Sequence, residues 1–334
     1  MAELVPPAPT PIHAESRRHA PGWLQRARAF TALLLLLLFN AIFTRDFLTL
    51  QTLNVNLSQV AQIVVVAMGM ALVIATAGID LSVGAVAAFA GTLAAVLLTQ
   101  AAEPLARTGL ALPAALLLPL VAAGGFGLMN AFLITRYGVQ PIVATLVLFI
   151  AGRGLAEMLT GSNLRTFPEE TLHWLRGNLL GVPAQAWLMA AVVAATAWVV
   201  RRTLFARWLL VVGGNERAAH LAGVPVARVK FIAYGACAVL AGVAGIMNVA
   251  MISAADPAKI GQNIELDAIA AVAVGGTLLS GGRVNVAGTL VGALAIQLLG
   301  YTLLAHGVAY EYALVAKAAI ILLAVYLQRR ERTA

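Results

Sequence analysis

Long apolar runs separated by short polar or basic stretches fill most of the chain, at 30 to 43, 55 to 77, 81 to 99, 109 to 134, 139 to 160, 184 to 200, 231 to 252, 264 to 282, 286 to 305 and 311 to 327. Most approach the roughly 20 residues that a membrane-spanning helix needs. The runs are continuously apolar, rich in Leu, Ala and Val, and lack the alternation of a membrane strand, so the pattern predicts helices rather than a barrel. The expected fold class is all-α, a polytopic membrane protein of about ten transmembrane helices.

Composition agrees. Of 334 residues, 61% are hydrophobic and 11% charged, where soluble domains carry about 25% charged residues. The first 22 residues hold Pro6, Pro7, Pro9, Pro11 and Pro21 with few apolar side chains, which predicts a disordered tail and leaves 23–334 as one transmembrane domain. The run ARAFTALLLLLLFNAIFTRD follows Arg26 and Arg28 but has no small-x-small cleavage site. It is expected to be a retained first helix rather than a signal peptide. Cys237, the one cysteine, falls within an apolar run and is expected to be a small core residue.

A net charge of +8 would suggest nucleic acid in a soluble chain. In a membrane protein the placement of Lys and Arg matters more. With ten spans and the N-terminus inside, fifteen basic residues fall in inner segments and five in outer ones, so both termini are expected in the cytoplasm and no nucleic-acid partner is implied. The most basic inner segment, Arg201 to Lys230, carries its own helix punctuation. Asn215 can cap an N-terminus, Glu216 suits the first turn, Gly223 suits the left-handed position after the last turn, and Pro225 blocks continuation. About two turns result, too short to stand alone. The small residues Ala218, Ala219 and Ala222 would let a protein surface approach; the other reading rests the helix and its arginines, Arg217 among them, on lipid headgroups.

Between two apolar runs the sequence ATAGIDLSVGAV breaks with Gly78, Asp80, Ser82 and Gly84. Asp80 is expected to cap the helix that follows, although an ionisable residue within a membrane domain can also line a polar pathway. A shift of 204 residues lays TAGIDLSVG on SGGRVNVAG, matching Gly78 with Gly282 and Gly84 with Gly288. This is a weak internal pseudo-repeat of the kind that transporters place near their substrate paths. Val284 stands where the acid would be repeated, and Arg283 suits a cytoplasmic helix terminus.

Other polar residues sit within or beside the spans. Arg153 and Glu157 are expected to pair along one helix at i, i+4. Lys317 either snorkels or meets a carboxylate on another helix. Glu265 is another such polar residue, and Asn248 and Asp267 flank an outer loop where a substrate could first touch the chain. The five histidines are scattered, no residue set has metal spacing, and no nucleophile motif appears, so neither cofactor, metal nor catalytic residues are expected. No Gly-Lys dipeptide occurs, which excludes a phosphate-cradling Walker A loop. Energy for transport would have to come from another subunit.

Four stretches together, MALVIATAGIDLSVGAV, GVQPIVATLVLFIAGRGLA, GGNERAAHLAGV and AVAVGGTLLSGGRVNVAGTLVGAL, resemble the permease subunit of bacterial ABC sugar importers of the ribose, xylose, arabinose and galactofuranose group. The galactofuranose type is closest through ATAGIDLSVGAV and AGRG. The resemblance covers nearly everything after about residue 55. It implies an inner-membrane permease moving a monosaccharide by alternating access, with partners in a second permease copy (identical or related), a separate ABC ATPase and a periplasmic sugar-binding protein. Asn215, Ala218, Ala219 and Gly223 match the Asn-x-x-Ala-Ala-x-x-x-Gly pattern of the helix that couples such permeases to their ATPase; Arg217 departs from the usual Glu-Ala-Ala triplet. The alternative is an ion-coupled secondary transporter using Asp80 and Lys317.

Overall fold

The computed structural model describes residues 22–99, 111–319 and Leu322. The N-terminal tail, Arg107, the end of the last apolar run and the C-terminal arginines lie outside the described residues. In chain order the helices are α1 (Gly22–Phe43), α2 (Leu50–Ala75), α3 (Val83–Thr99), α4 (Ala111–Arg136), α5 (Pro141–Thr160), α6 (His173–Arg176), α7 (Ala184–Arg202), α8 (Leu204–Gly214), α9 (Glu216–Leu221), α10 (Val226–Ile252), α11 (Ile264–Val274) and α12 (Val286–Ala305). A further helix runs from 310 to 319. Two short antiparallel pairings join the connections: β1 (Arg165–Thr166) with β4 (Ala254–Ala255), and β2 (Asn178–Leu179) with β3 (Val182–Pro183).

Among the described residues six helices, α2, α4, α5, α7, α10 and α12, are long and apolar enough to cross a membrane, while the apolar stretches at Ala29–Phe43, Val83–Thr99 and Leu204–Gly214 are shorter. The expectation of about ten spans is therefore not met by full-length helices. The clearest departure is at 264–282, where the helix stops at Val274 and a turn-rich segment follows. Gly275 and Gly276 weaken the helix, and Gly276, Gly281 and Gly282 all have positive φ, which α-helical backbone excludes. A second departure is α8, an additional helix in the Arg201–Lys230 segment ahead of the short one that its punctuation predicts.

The core forms around α2, whose most apolar window is 83% buried, against 17% for α7. α2 is surrounded by α7, α10, α11 and α12, and α10 also packs on α3 and α4. Such close contact depends on small residues, because lipid tails give no hydrophobic drive to push membrane helices together and backbones must approach. A Cβ on Gly69 would come within 2.7 Å of the Cys237 Cα, and one on Gly91 within 2.8 Å of the Gly245 carbonyl oxygen. Cys237 is fully buried on this contact, as expected of a small core residue. Elsewhere amide side chains tie helices together: Asn40 donates to Thr302 at 2.6 Å and Asn248 to Gln62 at 3.0 Å. Asn248 is thus engaged with α2 while remaining half-buried.

Candidate functional site

The site begins where α2 ends. Thr76 turns its hydroxyl back to the Val73 carbonyl at 2.7 Å, and Ala77 adopts φ +63°, a left-handed conformation uncommon for a residue with a side chain. The chain then runs without helix to Ser82, whose carbonyl accepts the first helical bond of α3 from Val86 at 2.8 Å. Asp80 is fully buried in this break. Its Oδ1 accepts from the Ser82 amide at 2.9 Å and the Ser82 hydroxyl at 2.5 Å. The carboxylate therefore closes an Asx turn just ahead of α3 rather than binding amides inside its first turn. Leu81 N donates to the Thr145 hydroxyl of α5 at 3.2 Å, which anchors the same break from the side.

Three buried polar atoms at this break find no partner among the described residues: Asp80 Oδ2, Asn130 Oδ1 and the Tyr234 hydroxyl. Asn130 of α4 donates to Ser82 Oγ at 3.0 Å, and Tyr234 of α10 lies with its hydroxyl against Gly78. Neither residue stands out in the sequence. The available signal was a lone Asn within an apolar helix, costly there unless it meets other polar groups.

If the acid serves as a positioning group, Asp80→Asn should keep the oxygen that Ser82 needs and retain both folding and uptake. Asp80→Ala would leave two buried donors unpaired and should lower stability by roughly 1–3 kcal/mol. Thermal unfolding beside an uptake assay separates the cases: an Asn variant of normal stability and no uptake would place the charge in the transport path.

The second half of the site is the surface segment after α8. Asn215 accepts from Ala218 N at 3.0 Å, while Gly223, at φ +78°, and Val224 return their amides to His220 and Ala219, both at 3.0 Å. This paired C-terminal closure is the Schellman arrangement, so both ends of α9 stand where the punctuation placed them. Lys230 of α10 reaches Glu216 at 2.7 Å and fixes α9 against the body. Ala219 is fully buried by its own chain, whereas Leu221 is 88% exposed and lines an open recess with Glu216, Arg217, His220 and Val226. Of the three alanines that the sequence singles out, Ala219 turns inward and seats the helix, while Ala218 and Ala222 stay exposed beside Arg217 and Leu221.

A backbone seam joins the two halves. Gly213, at the end of α8, leaves no room for a side chain: a Cβ there would overlap the Ala75 carbonyl oxygen and lie 2.6 Å from the Gly282 amide. Gly282 N donates to that same Ala75 oxygen at 3.0 Å, and a Cβ on Gly281 would sit 2.7 Å from Ala77 N. Gly78 and Gly282 are accordingly parts of neighbouring breaks. Gly84 packs against Glu265 and the Gly261 carbonyl, and Gly288 against the Gly275 carbonyl. In the second break Asn285 is the cap, accepting from Gly288 N at 3.1 Å, and Arg283 is exposed.

The charged residues find partners that the sequence either offered as an alternative, as for Lys317, or did not foresee, as for Arg153. Arg153 does not pair with Glu157; its Nη1 donates to the carbonyls of Pro257, Ala258 and Ile260 at 2.8, 3.1 and 3.0 Å, clamping the segment before α11. Lys317 meets both oxygens of Asp267 at 2.9 Å, joining the 310–319 helix to α11. Asp267 is thereby occupied within the fold. Glu265 is buried with Oε2 unpaired. Among the described residues no group of three or more His, Cys, Asp or Glu could hold a metal.

Residues 53–325 match the family described as the branched-chain amino acid transport system permease component. The chain belongs to this permease family. It is 37% identical to the ribose import permease protein RbsC of Escherichia coli K12 over 95% of this chain and 97% of that protein. It is also 39% identical to the galactofuranose transporter permease protein YtfT of the same organism, over 81% of this chain and 78% of the other. Similarity to the fructose import permease protein FruF of Bifidobacterium longum is 34%, over 85% and 82% of the two chains. In this permease the two breaks, the seam and α9 all lie within the residues that the family covers.

Proposed function

We propose that the chain is the transmembrane subunit of an ATP-driven importer that moves a monosaccharide across the bacterial inner membrane, with both termini in the cytoplasm. The observation that carries this is α9: a two-turn helix capped at both ends, pinned by Lys230, with an exposed face of Glu216, Arg217, His220 and Leu221. A helix this short is worth building only if something docks on it or it must be held in place. The relatives, the ribose and fructose import permeases and the galactofuranose transporter permease, support the same reading. An ABC ATPase would supply the energy and a periplasmic sugar-binding protein the substrate, so the chain itself is no enzyme.

Coupling then follows the contacts. Asn215, Glu216, Arg217 and Ala218 present the docking surface, while Ala219 and Gly223 shape the helix beneath it. Displacement of α9 moves α8, and the Gly213 seam bears directly on the ends of both breaks. With a second permease copy across the pathway, alternating access would arise from the two breaks opening on one side or the other. The echo between them supports an internal pseudo-repeat. An ion-coupled carrier would need Lys317 as a free coupling group, and Asp267 holds it.

Leu221→Asp tests the docking surface. Its side chain is almost wholly exposed, so the variant should fold and melt like the parent, yet lose co-purification of the co-expressed ATPase and lose ATP-dependent sugar uptake in proteoliposomes. Normal uptake, or uptake driven by an ion gradient without ATP, would sink the reading.

A further inference from the structure

The hairpin between α6 and α7 has a turn that a solvated loop would not choose. Asn178 pairs with Pro183 and Leu179 with Val182, leaving Leu180 and Gly181 as the two turn residues, at φ +56° and +81°. Two-residue turns with both φ values positive are built from Asn, Asp or Gly, since a side chain is strained there. Here a leucine occupies the first position and is 86% exposed, beside Leu179 at 58%. Strain and an apolar side chain in water would both oppose this choice. The strain is local and independent of solvent, but placing the tip in lipid removes the cost of the exposed side chain and offsets the strain by burying the leucine.

We propose that this hairpin is a membrane-interface anchor, with Leu179 and Leu180 inserted at the boundary between lipid headgroups and acyl chains. Three observations select lipid over a protein partner. The hairpin runs straight into α7, a helix apolar and long enough to span, with most of its surface unburied. Trp187, in the first turn of α7, donates its indole N–H to the Leu179 carbonyl at 3.1 Å while its ring stays 46% exposed, the posture of an interfacial tryptophan. From Gly177 through Val200 the sequence contains no charged residue, and it is bounded by Arg176, paired to Glu169 at 2.6 Å, and by Arg201. From Ala184 to Arg201 the helix rises about 25 Å at 1.5 Å per residue, close to the hydrocarbon thickness. With Trp198, Arg201 and Arg202 at one boundary, the hairpin falls at the other. It acts as a lateral stop that fixes how deep α7 sits and how far it tilts.

A nitroxide on Leu180→Cys, in the full-length permease reconstituted in phosphatidylcholine and phosphatidylglycerol bilayers, decides the matter. Cys237 is fully buried, and the parent protein serves as the labelling control. A label on Leu221→Cys provides the aqueous reference. Collisions with lipid-dissolved oxygen should exceed those with a water-soluble nickel chelate at 180, the reverse of the order at 221. A label at 180 that meets the nickel chelate more than oxygen lies in water and overturns the proposal. A label shielded from both is covered by protein, a second copy or a soluble partner, and overturns it equally.

Discussion

Replacing Lys317 by Met is expected to cost about 3–5 kcal/mol of stability, the penalty for leaving a buried charge without its partner. Lys317 and Asp267 keep only 16% and 15% of their side chains exposed and meet through two bonds of 2.9 Å. Exposed pairs such as Arg45 with Asp46 would contribute about 0–1 kcal/mol by comparison. The discriminating measurement is the double variant. Lys317→Met with Asp267→Leu removes both charges and should recover most of the lost thermal stability, since apolar replacements of a buried pair are often neutral. If the double variant is as unstable as the sum of the singles, the pair is not what holds the 310–319 helix to α11.

Gly213→Ala should be among the most damaging single methyls at the described glycines, while the same change at Gly214 should be harmless. No atom lies within 4 Å of a Cβ at 214, whereas one at 213 meets backbone on two sides, Ala75 and Gly282. Backbone cannot rotate aside as a side chain can, so the seam must part. A loss on the order of 1–3 kcal/mol or more is expected from overpacking of this kind, together with loss of uptake even in the fraction that folds. Equal behaviour of the two variants in unfolding and uptake assays would remove the seam from the mechanism.

The seam also marks the limit of what the sequence reveals. Hydropathy located the long helices because a bilayer imposes length and composition on each separately. The ends of α9 were legible for a similar reason: Asn215, Gly223 and Pro225 act on their own backbone within a few residues. By contrast, Lys317 finds Asp267 fifty positions away, and Gly213 meets Ala75 and Gly282 from three separate elements. No local rule encodes those meetings. The early end of α11 was written in Gly275 and Gly276, but the apolar residues around them masked it. Asn130 and Tyr234 went unnoticed because one polar side chain in a helix announces itself only when its neighbours are known. Ala219 shows the reverse error: the right residue was singled out, and only burial reveals that it faces inward.

The Glu216–Lys230 bond has a practical consequence for anyone handling the protein in salt. Lys230 keeps only 9% of its side chain exposed, and a pair with one partner so withdrawn is screened far less than a surface pair. Raising ionic strength should therefore strip away molecules held by the exposed Arg217 while leaving α9 seated. On the proposed coupling, a high-salt wash should empty the docking face without dismantling it, and the emptied permease should accept its proposed ATPase again once the salt is dialysed out.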